Sequence, residues 1–179
     1  MFRFDDGKDN LNQLSTNGIE NIISNYQTSD GVLVRCNFYD TNGTYRFRAV
    51  NESIYKNVDG CFIVFDITKE DTFEEIENYF IPKIKEKAKK NIPVFILGNK
   101  LDLSDSRKVS VEQGKELADE NNYYYYETSA NIQNINEIFE KFVEMVKHDV
   151  EKRKKSQNNN NNSIQIREEI HLGRCQRCF

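Results

Sequence analysis

Two short polar segments carry the residue types best suited to specific chemistry: N-K-L-D at 99–102 and E-T-S-A at 127–130. The carboxylate of Asp102 can accept a pair of hydrogen bonds from the N1 and N2 edge of a guanine base, and adenine cannot supply that pair. Asn99 and a backbone N–H near Ala130 would meet the other edge, while Lys100 can lay its aliphatic stem along the ring. The alternative for the tetrapeptide alone is a polar loop that follows a strand.

The position of the first segment favours a binding site. It directly follows the apolar residues 93–98 (P-V-F-I-L-G), which are typical of a buried parallel strand. The polar residues therefore lie at the carboxyl end of a strand, where open α/β sheets bind their ligands.

Composition limits the class of protein. The 179 residues, 37% of them apolar and 12% aromatic, suit one domain with a tail. The net charge of −4 without a basic stripe argues against nucleic acid as a partner. No apolar stretch approaches the ~20 residues that span a bilayer, and the N-terminus has no apolar signal core, so we expect a cytoplasmic protein. Cys36 and Cys61 fall in strand-like stretches, where a buried thiol is the ordinary interpretation.

Strand and helix patterns alternate along the chain. Residues 19–26 and 32–39 are β-rich, and the T-S-D-G between them predicts an antiparallel hairpin. Further strands are predicted at 60–66, 93–98 and 123–127, and helices at about 69–90, 111–121 and 134–152. These repeated units predict an α/β fold with a mostly parallel sheet and helices on both faces.

The chain changes character after Val150. Four basic residues at 152–155 lead into five consecutive asparagines, a composition with nothing to bury. The chain is therefore predicted to be one domain at 1–150 followed by a disordered tail at 151–179.

Several segments resemble the Rab branch of the Ras superfamily of small GTPases. Residues 40–48 (D-T-N-G-T-Y-R-F-R) are similar to the Rab switch II sequence D-T-A-G-Q-E-R-F-R. Residues 64–68 (V-F-D-I-T) and 15–20 (S-T-N-G-I-E) are similar to the V-Y-D-I-T and switch I stretches of that branch. The resemblance runs from about residue 14 to 150 and implies the small-GTPase fold.

The resemblance also implies roles for single residues in binding GTP or GDP with Mg²⁺. Thr16 would contact Mg²⁺ and the γ-phosphate, Asp40 would hold Mg²⁺ through water, and the backbone N–H of Gly43 would approach the γ-phosphate. The base would be held by the two polar segments, specifically by Asn99, Lys100, Asp102, Ser129 and Ala130.

The chain departs from the family pattern at its N-terminus. The family begins with a strand, a G-x-x-x-x-G-K-[ST] phosphate loop and a helix, but only 15 residues precede Thr16. Four lost charge-assisted bonds to phosphate would cost ~6 to 12 kcal/mol, so we expect weak nucleotide binding. Thr44 replaces the family's water-orienting glutamine, so we expect impaired hydrolysis and assign no catalytic residue.

Two explanations for this departure stay open, a truncated gene model of an active GTPase and a degenerate paralogue. In the family, the first strand lies between the strands that here end at Asp40 and Asp66. Its loss leaves two central strands without a shared partner, so that they close up, the N-terminus substitutes, or the domain is marginally stable.

The C-terminus resembles the lipid-bearing tail of Rab proteins. Cys175 and Cys178 are candidate prenylation sites, and two lipids with the basic residues 152–155 would attach the chain peripherally to the cytosolic face of a membrane. The resemblance implies a monomeric GTP-binding switch in vesicle traffic, which binds Rab effectors and regulators through residues 19–55. The alternative is a nucleotide-free remnant that acts only as a protein-interaction module.

Overall fold

The central feature of the computed structural model is a six-stranded sheet. The structure describes residues 19–41, 54–129, 135–157 and 168–176. In these ranges the strands follow the spatial order β1-β2-β6-β3-β4-β5. Their bounds are β1 Ile19–Gln27, β2 Leu33–Thr41, β3 Gly60–Asp66, β4 Val94–Asn99, β5 Tyr124–Glu127 and β6 Glu168–Gln176.

Strands β1 and β2 form the predicted antiparallel hairpin, from Ile19 opposite Thr41 to Gln27 opposite Leu33. Gly31 adopts a φ of 82° in the turn, a conformation that glycine reaches without strain. The backbone N–H of Thr28 donates to the carbonyl of Val32 at 2.9 Å, which closes the turn.

Strands β3, β4 and β5 are parallel, as predicted. Every residue of β3 is buried, and so are the first five of β4. Burial on both faces explains why these strands are continuous apolar runs.

The helices lie close to their predicted positions. The helix predicted at 69–90 is formed by α1 Glu70–Glu75, a π-helical segment Ile76–Phe80 and α2 Ile81–Lys87. Pro82 follows the π-helical segment and has no N–H for a regular helical bond. Further helices in the described ranges are a 3₁₀ helix Leu101–Ser106, α3 Val111–Asn121 and α4 Ile135–Gln157.

Two hydrophobic clusters cover the two faces of the sheet. One packs β3 and β4 against α1, α2 and α3, and the other packs β2, β3 and β4 against α4. Cys61 belongs to the first cluster and Cys36 to the second, and both are fully buried, which confirms the interpretation of these thiols. Burial raises the pKa of Cys36 to about 12. The α/β prediction, with helices on both faces of a mostly parallel sheet, is confirmed.

The C-terminal segment differs from the prediction of a disordered tail at 151–179. Helix α4 continues to Gln157, and Glu168–Gln176 form β6 between β2 and β3, parallel to both. The two central strands therefore do not close up on each other. Their facing backbone groups supply hydrogen-bond partners that composition alone does not reveal, and this explains why a polar segment is ordered there.

Helices long and apolar enough to cross a membrane are absent from the described ranges.

Candidate functional site

The loop after β4 is fixed to both neighbouring strands by backbone hydrogen bonds. Asn99 ends β4, and its carbonyl accepts from the N–H of Ile67 at 3.1 Å. Lys100 adopts a left-handed φ of 69°, and the next N–H, from Leu101, donates to the carbonyl of Thr128 at 3.1 Å. The loops that follow β3, β4 and β5 thus meet at one edge of the sheet, as predicted for the carboxyl ends of parallel strands.

The two polar segments are in direct contact. The Ser129 hydroxyl donates to Oδ1 of Asp102. Ser129 is buried, whereas Asp102 is exposed at the start of the 3₁₀ helix. Ser129 therefore orients the Asp102 carboxylate while the carboxylate faces solvent, an arrangement compatible with the predicted contact to a base.

Asp66 was not among the residues predicted for the site. It ends β3, is fully buried, and its Oδ2 lies 2.7 Å from the Lys100 ammonium. The backbone N–H and the hydroxyl of Thr68 donate to Oδ1 at 2.9 and 2.7 Å. Burial raises the pKa of Asp66, but the bonds from Lys100 and Thr68 outweigh it and hold the pKa below the ordinary value.

The ion pair with Asp66 fixes the lysine side chain across the ends of β3 and β4. The sequence signal for Asp66 is its position at a strand end in V-F-D-I-T. That signal does not identify its partner, because the contact with Lys100 depends on how the two strands pair.

A second charge network supports the end of β5. Both terminal nitrogens of Arg107 bind the carboxylate of Glu127, at 2.6 and 2.8 Å, and the Tyr125 hydroxyl donates to the same carboxylate at 2.7 Å. Burial raises the pKa of Glu127, but these bonds outweigh it and lower the pKa overall. Glu127 therefore stabilises the loop that presents Ser129, a role that the sequence did not reveal.

Asp40 lies near the end of β2, half-buried, opposite Glu20 of β1 and Arg174 of β6. The other predicted ligands of Mg²⁺ and phosphate, Thr16 and Gly43, lie outside the described residues, as do Ala130 and Cys178. Groups of three or more His, Cys, Asp or Glu side chains arranged to hold a metal ion are absent from the ranges the structure describes. The Mg²⁺ assignment therefore stays a prediction.

A groove of about 730 Å³ lies away from these loops. Residues from the end of α2, the beginning of β4, the chain before β5 and the middle of α4 line it, among them Lys89, Tyr123 and His148. It opens at the amino ends of the strands, so it is separate from the candidate base site.

Comparison with known proteins identifies the family. The sequence model of the Ras family of proteins matches residues 1–148 of this chain. The chain is 38% identical to Ras-related protein Rab-8B of Homo sapiens over 130 residues, which are 73% of this chain and 62% of that protein. It is 34% identical to RABA5b of Arabidopsis thaliana over 158 residues, 82% of this chain and 72% of that protein.

GTP-binding protein yptV2 of Volvox carteri is 37% identical over 131 residues, 73% of this chain and 59% of that protein. The chain thus spans less than two thirds of the length of the Rab-8B and yptV2 relatives. Together with the parallel sheet and the loops at its carboxyl edge, these matches show that the chain belongs to the Rab branch of the Ras family of small GTPases.

Proposed function

We propose that these 179 residues belong to a guanine-nucleotide-binding protein of membrane traffic, and that by themselves they recognise the base and bind the phosphates weakly. The observation that carries this proposal is the contact between Ser129 and Asp102, which joins the two base-reading segments at the carboxyl edge of the sheet. The pairing of Lys100 with Asp66 fixes the lysine of the same loop.

The base half of the site fits guanine. The exposed Asp102 carboxylate accepts from N1 and N2, and the Ser129 hydroxyl keeps it in place. Lys100 has its ammonium anchored on Asp66, which leaves its aliphatic stem to pack along the ring. Asn99, at the end of β4, meets the opposite edge of the base.

We expect contacts to the phosphates to contribute less binding free energy in these 179 residues than they do in the family. Thr16, Gly43 and Asp40 would contact Mg²⁺ and the γ-phosphate, but the 179 residues contain no G-x-x-x-x-G-K-[ST] loop. Loss of ~6 to 12 kcal/mol of phosphate contacts corresponds to roughly four to nine decades in affinity. Thr44 in place of glutamine is too short to orient an attacking water, so we expect hydrolysis to be slow.

Titration of the 179-residue chain with fluorescent GDP and Mg²⁺ tests this function. We expect a Kd of about one micromolar or weaker, and displacement by GDP but not by ADP, because only guanine satisfies Asp102. Asp102→Asn should remove the preference for GDP, since the amide places a donor where the base needs an acceptor. Asp105→Asn, in the same 3₁₀ helix, is the matched control.

Two outcomes would contradict the proposal. A submicromolar Kd for GDP would show that the 179 residues bind the phosphates tightly. Equal displacement by ADP and GDP would show that the loops do not read guanine.

The hairpin favours a second function, a protein-interaction module that works without nucleotide. Ile22, Ile23 and Leu33 are 38%, 51% and 49% exposed on β1 and β2, at the edge of the sheet. Exposed apolar side chains on an edge hairpin suit a Rab effector or regulator that binds through residues 19–55. Thermal melting separates the two functions, because GDP with Mg²⁺ raises the Tm of a nucleotide-binding protein and leaves that of a pure interaction module unchanged.

Membrane attachment would use the C-terminal cysteines. Prenylation of Cys175 and Cys178, with the basic residues 152–155, would give the two lipids and the charge that stable attachment needs. Mass spectrometry of the chain isolated from eukaryotic cells, compared with a Cys175→Ser, Cys178→Ser variant, tests this. An unmodified mass in both proteins would contradict it.

A further inference from the structure

Within the plane of the sheet, strand β6 connects the hairpin β1-β2 to the three strands β3, β4 and β5. On one side it pairs with β2 from Val34, opposite Glu168, to Thr41, opposite Cys175. On its other side it pairs with β3 from Gly60, opposite Leu172, to Val64, opposite Gln176. Strands β2 and β3 are not neighbours in the sheet. Without β6, each would present a row of unpaired backbone groups to a gap one strand wide.

Helix α4 keeps both edges of this gap in position. On the hairpin side, the Phe139 ring lies 5.8 Å from that of Tyr26 and 5.5 Å from that of Phe38. On the other side, the Phe142 ring lies 3.9 Å from that of Phe62 in β3. Because one helix holds both edges, the gap is a site with a defined width, suited to one extended segment.

The path of the chain allows its own C-terminus to fill this gap. Strand β5 is parallel to β4, and β6 is parallel to β3, so the chain from β5 through α4 to β6 is a crossover connection, in which ten residues separate the end of α4 from the start of β6. From β5 to β6 the connection crosses three strand spacings, about 14 Å at 4.8 Å each. Ten residues can span up to roughly 33–36 Å when extended. The connection is therefore long enough within one chain.

We propose that the gap between β2 and β3 is a strand-acceptor site, that its ligand is the chain's own segment Glu168–Gln176, and that docking of this segment withholds Cys175 from modification. The backbone of Cys175 lies between Thr41 and Ile63, paired in register on both sides. An enzyme that modifies this cysteine needs the surrounding chain to leave the sheet first, since a central strand cannot enter a second binding site while it is paired. The consequence for lipid attachment rests on the proposed function, whereas the docking does not.

Thiol labelling of the full chain tests the docking. Helices cover both faces of the sheet in which β6 is a central strand, so a maleimide that carries a polyethylene glycol of about 5 kDa should reach Cys175 only after this strand opens. We expect Cys175 to react about tenfold or more slowly than Cys178, with both rates followed by peptide mass spectrometry. Equal rates at the two cysteines would overturn the proposal.

Two proline variants make the labelling test specific. Leu172 lies between β2 and β3, so Leu172→Pro removes an N–H from the ladder and should speed the labelling of Cys175 to the rate of Cys178. Ser163→Pro, outside the strand, is the matched control and should leave the slow rate unchanged. Slow labelling that persists in Leu172→Pro would overturn the proposal.

Hydrogen exchange covers the case in which Leu172→Pro does not fold. In the unaltered chain, the amides of 168–176 should exchange as slowly as those of β2, because both belong to one ladder. Exchange of 168–176 at the rate of a free peptide would overturn the docking. A dimeric mass by light scattering, together with loss of the protection of 168–176 on dilution to the monomer, would overturn occupancy by the same chain, since a second copy would then supply the strand. Neither nucleotide nor lipid takes part in these measurements, so their result is independent of the proposed function.

Discussion

The single residue Lys100 connects the ends of two strands, β3 and β4. Its backbone occupies the left-handed region directly after β4, and its ammonium lies 2.7 Å from the fully buried carboxylate of Asp66. A buried carboxylate needs a compensating charge, so this lysine stabilises the fold in addition to the role proposed for it at the base.

Lys100→Met should destabilise the protein by about 1–3 kcal/mol, because it leaves the Asp66 carboxylate buried without its cation. The value lies below that of a fully buried pair because the Lys100 side chain is 32% exposed. Urea unfolding measures the change. Lys108→Met, an exposed lysine a few residues further along, is the control and should shift the free energy of unfolding by less than about 0.5 kcal/mol. Equal effects of the two substitutions would contradict a specific role for the pair.

Contact between α3 and β5 illustrates how elements position the site. A Cβ added to Gly114 of α3 would lie 2.3 Å from a ring carbon of Tyr125. That ring cannot easily move, because its hydroxyl donates to Glu127 and Glu127 is bound by Arg107. The helix thus lies close to the strand whose end presents Ser129.

Gly114→Ala should therefore destabilise the protein by about 1–3 kcal/mol, although alanine is the better helix former by about 1 kcal/mol. The reason is the clash with Tyr125, so Tyr125→Leu in the same chain should recover part of the loss. Thermal melting of the single and double variants measures both effects. Glu116→Ala, exposed on the same helix, controls for helix propensity. A higher Tm for Gly114→Ala would show that the helix can move away from β5.

Elements with strong local patterns were predictable, and the central strand was not. The hairpin followed from T-S-D-G between β-rich runs, and β3 and β4 from their continuous apolar sequences. Strand β6 has the sequence E-E-I-H-L-G-R-C-Q, which lacks such a run. Its order depends on backbone groups of β2 and β3 that are distant in the chain, and composition does not record them.

For the candidate site, the motif residues were predictable from the sequence and the charged residues that support them were not. Motif spacing placed Asp102 and Ser129 in one site, and the structure brings them into contact. The supporting charges, Asp66 and the pair of Arg107 with Glu127, were not identified, because each contact joins segments whose proximity depends on sheet register.

At the scale of the whole molecule, the hairpin is attached to the rest of the protein by β6 within the sheet and by α4 across it. The turn of the hairpin adds a polar contact to the apolar one, since the Lys147 ammonium of α4 pairs with Asp30 and the Glu144 carboxylate accepts from the N–H of Ser29. Lys147 is largely buried while Asp30 is exposed. The hydrogen bonds from Lys147 and Thr28 lower the pKa of Asp30 from 3.8 to about 2.

This shift predicts how acid affects the attachment of the hairpin. The folded-state pKa of Asp30 is lower than the ordinary value, so its ionised form favours the folded state. The contribution is complete above about pH 4 and is lost as the pH falls through about 2. Asp30→Asn should therefore lower the urea midpoint of unfolding at about pH 6 and have a smaller effect at about pH 2.5. Other carboxylates titrate in both proteins, so the difference between the two midpoints isolates Asp30.

Asp119→Asn, exposed on α3, is the control and should shift the midpoint little at either pH. If the difference in urea midpoint between the unaltered chain and Asp30→Asn is the same at both pH values, the ion pair with Lys147 does not stabilise the turn. In that case the hydrogen bond between Ser29 and Glu144, the apolar contacts of Phe139 and the ladder of β6 would still connect the hairpin to the rest of the described structure.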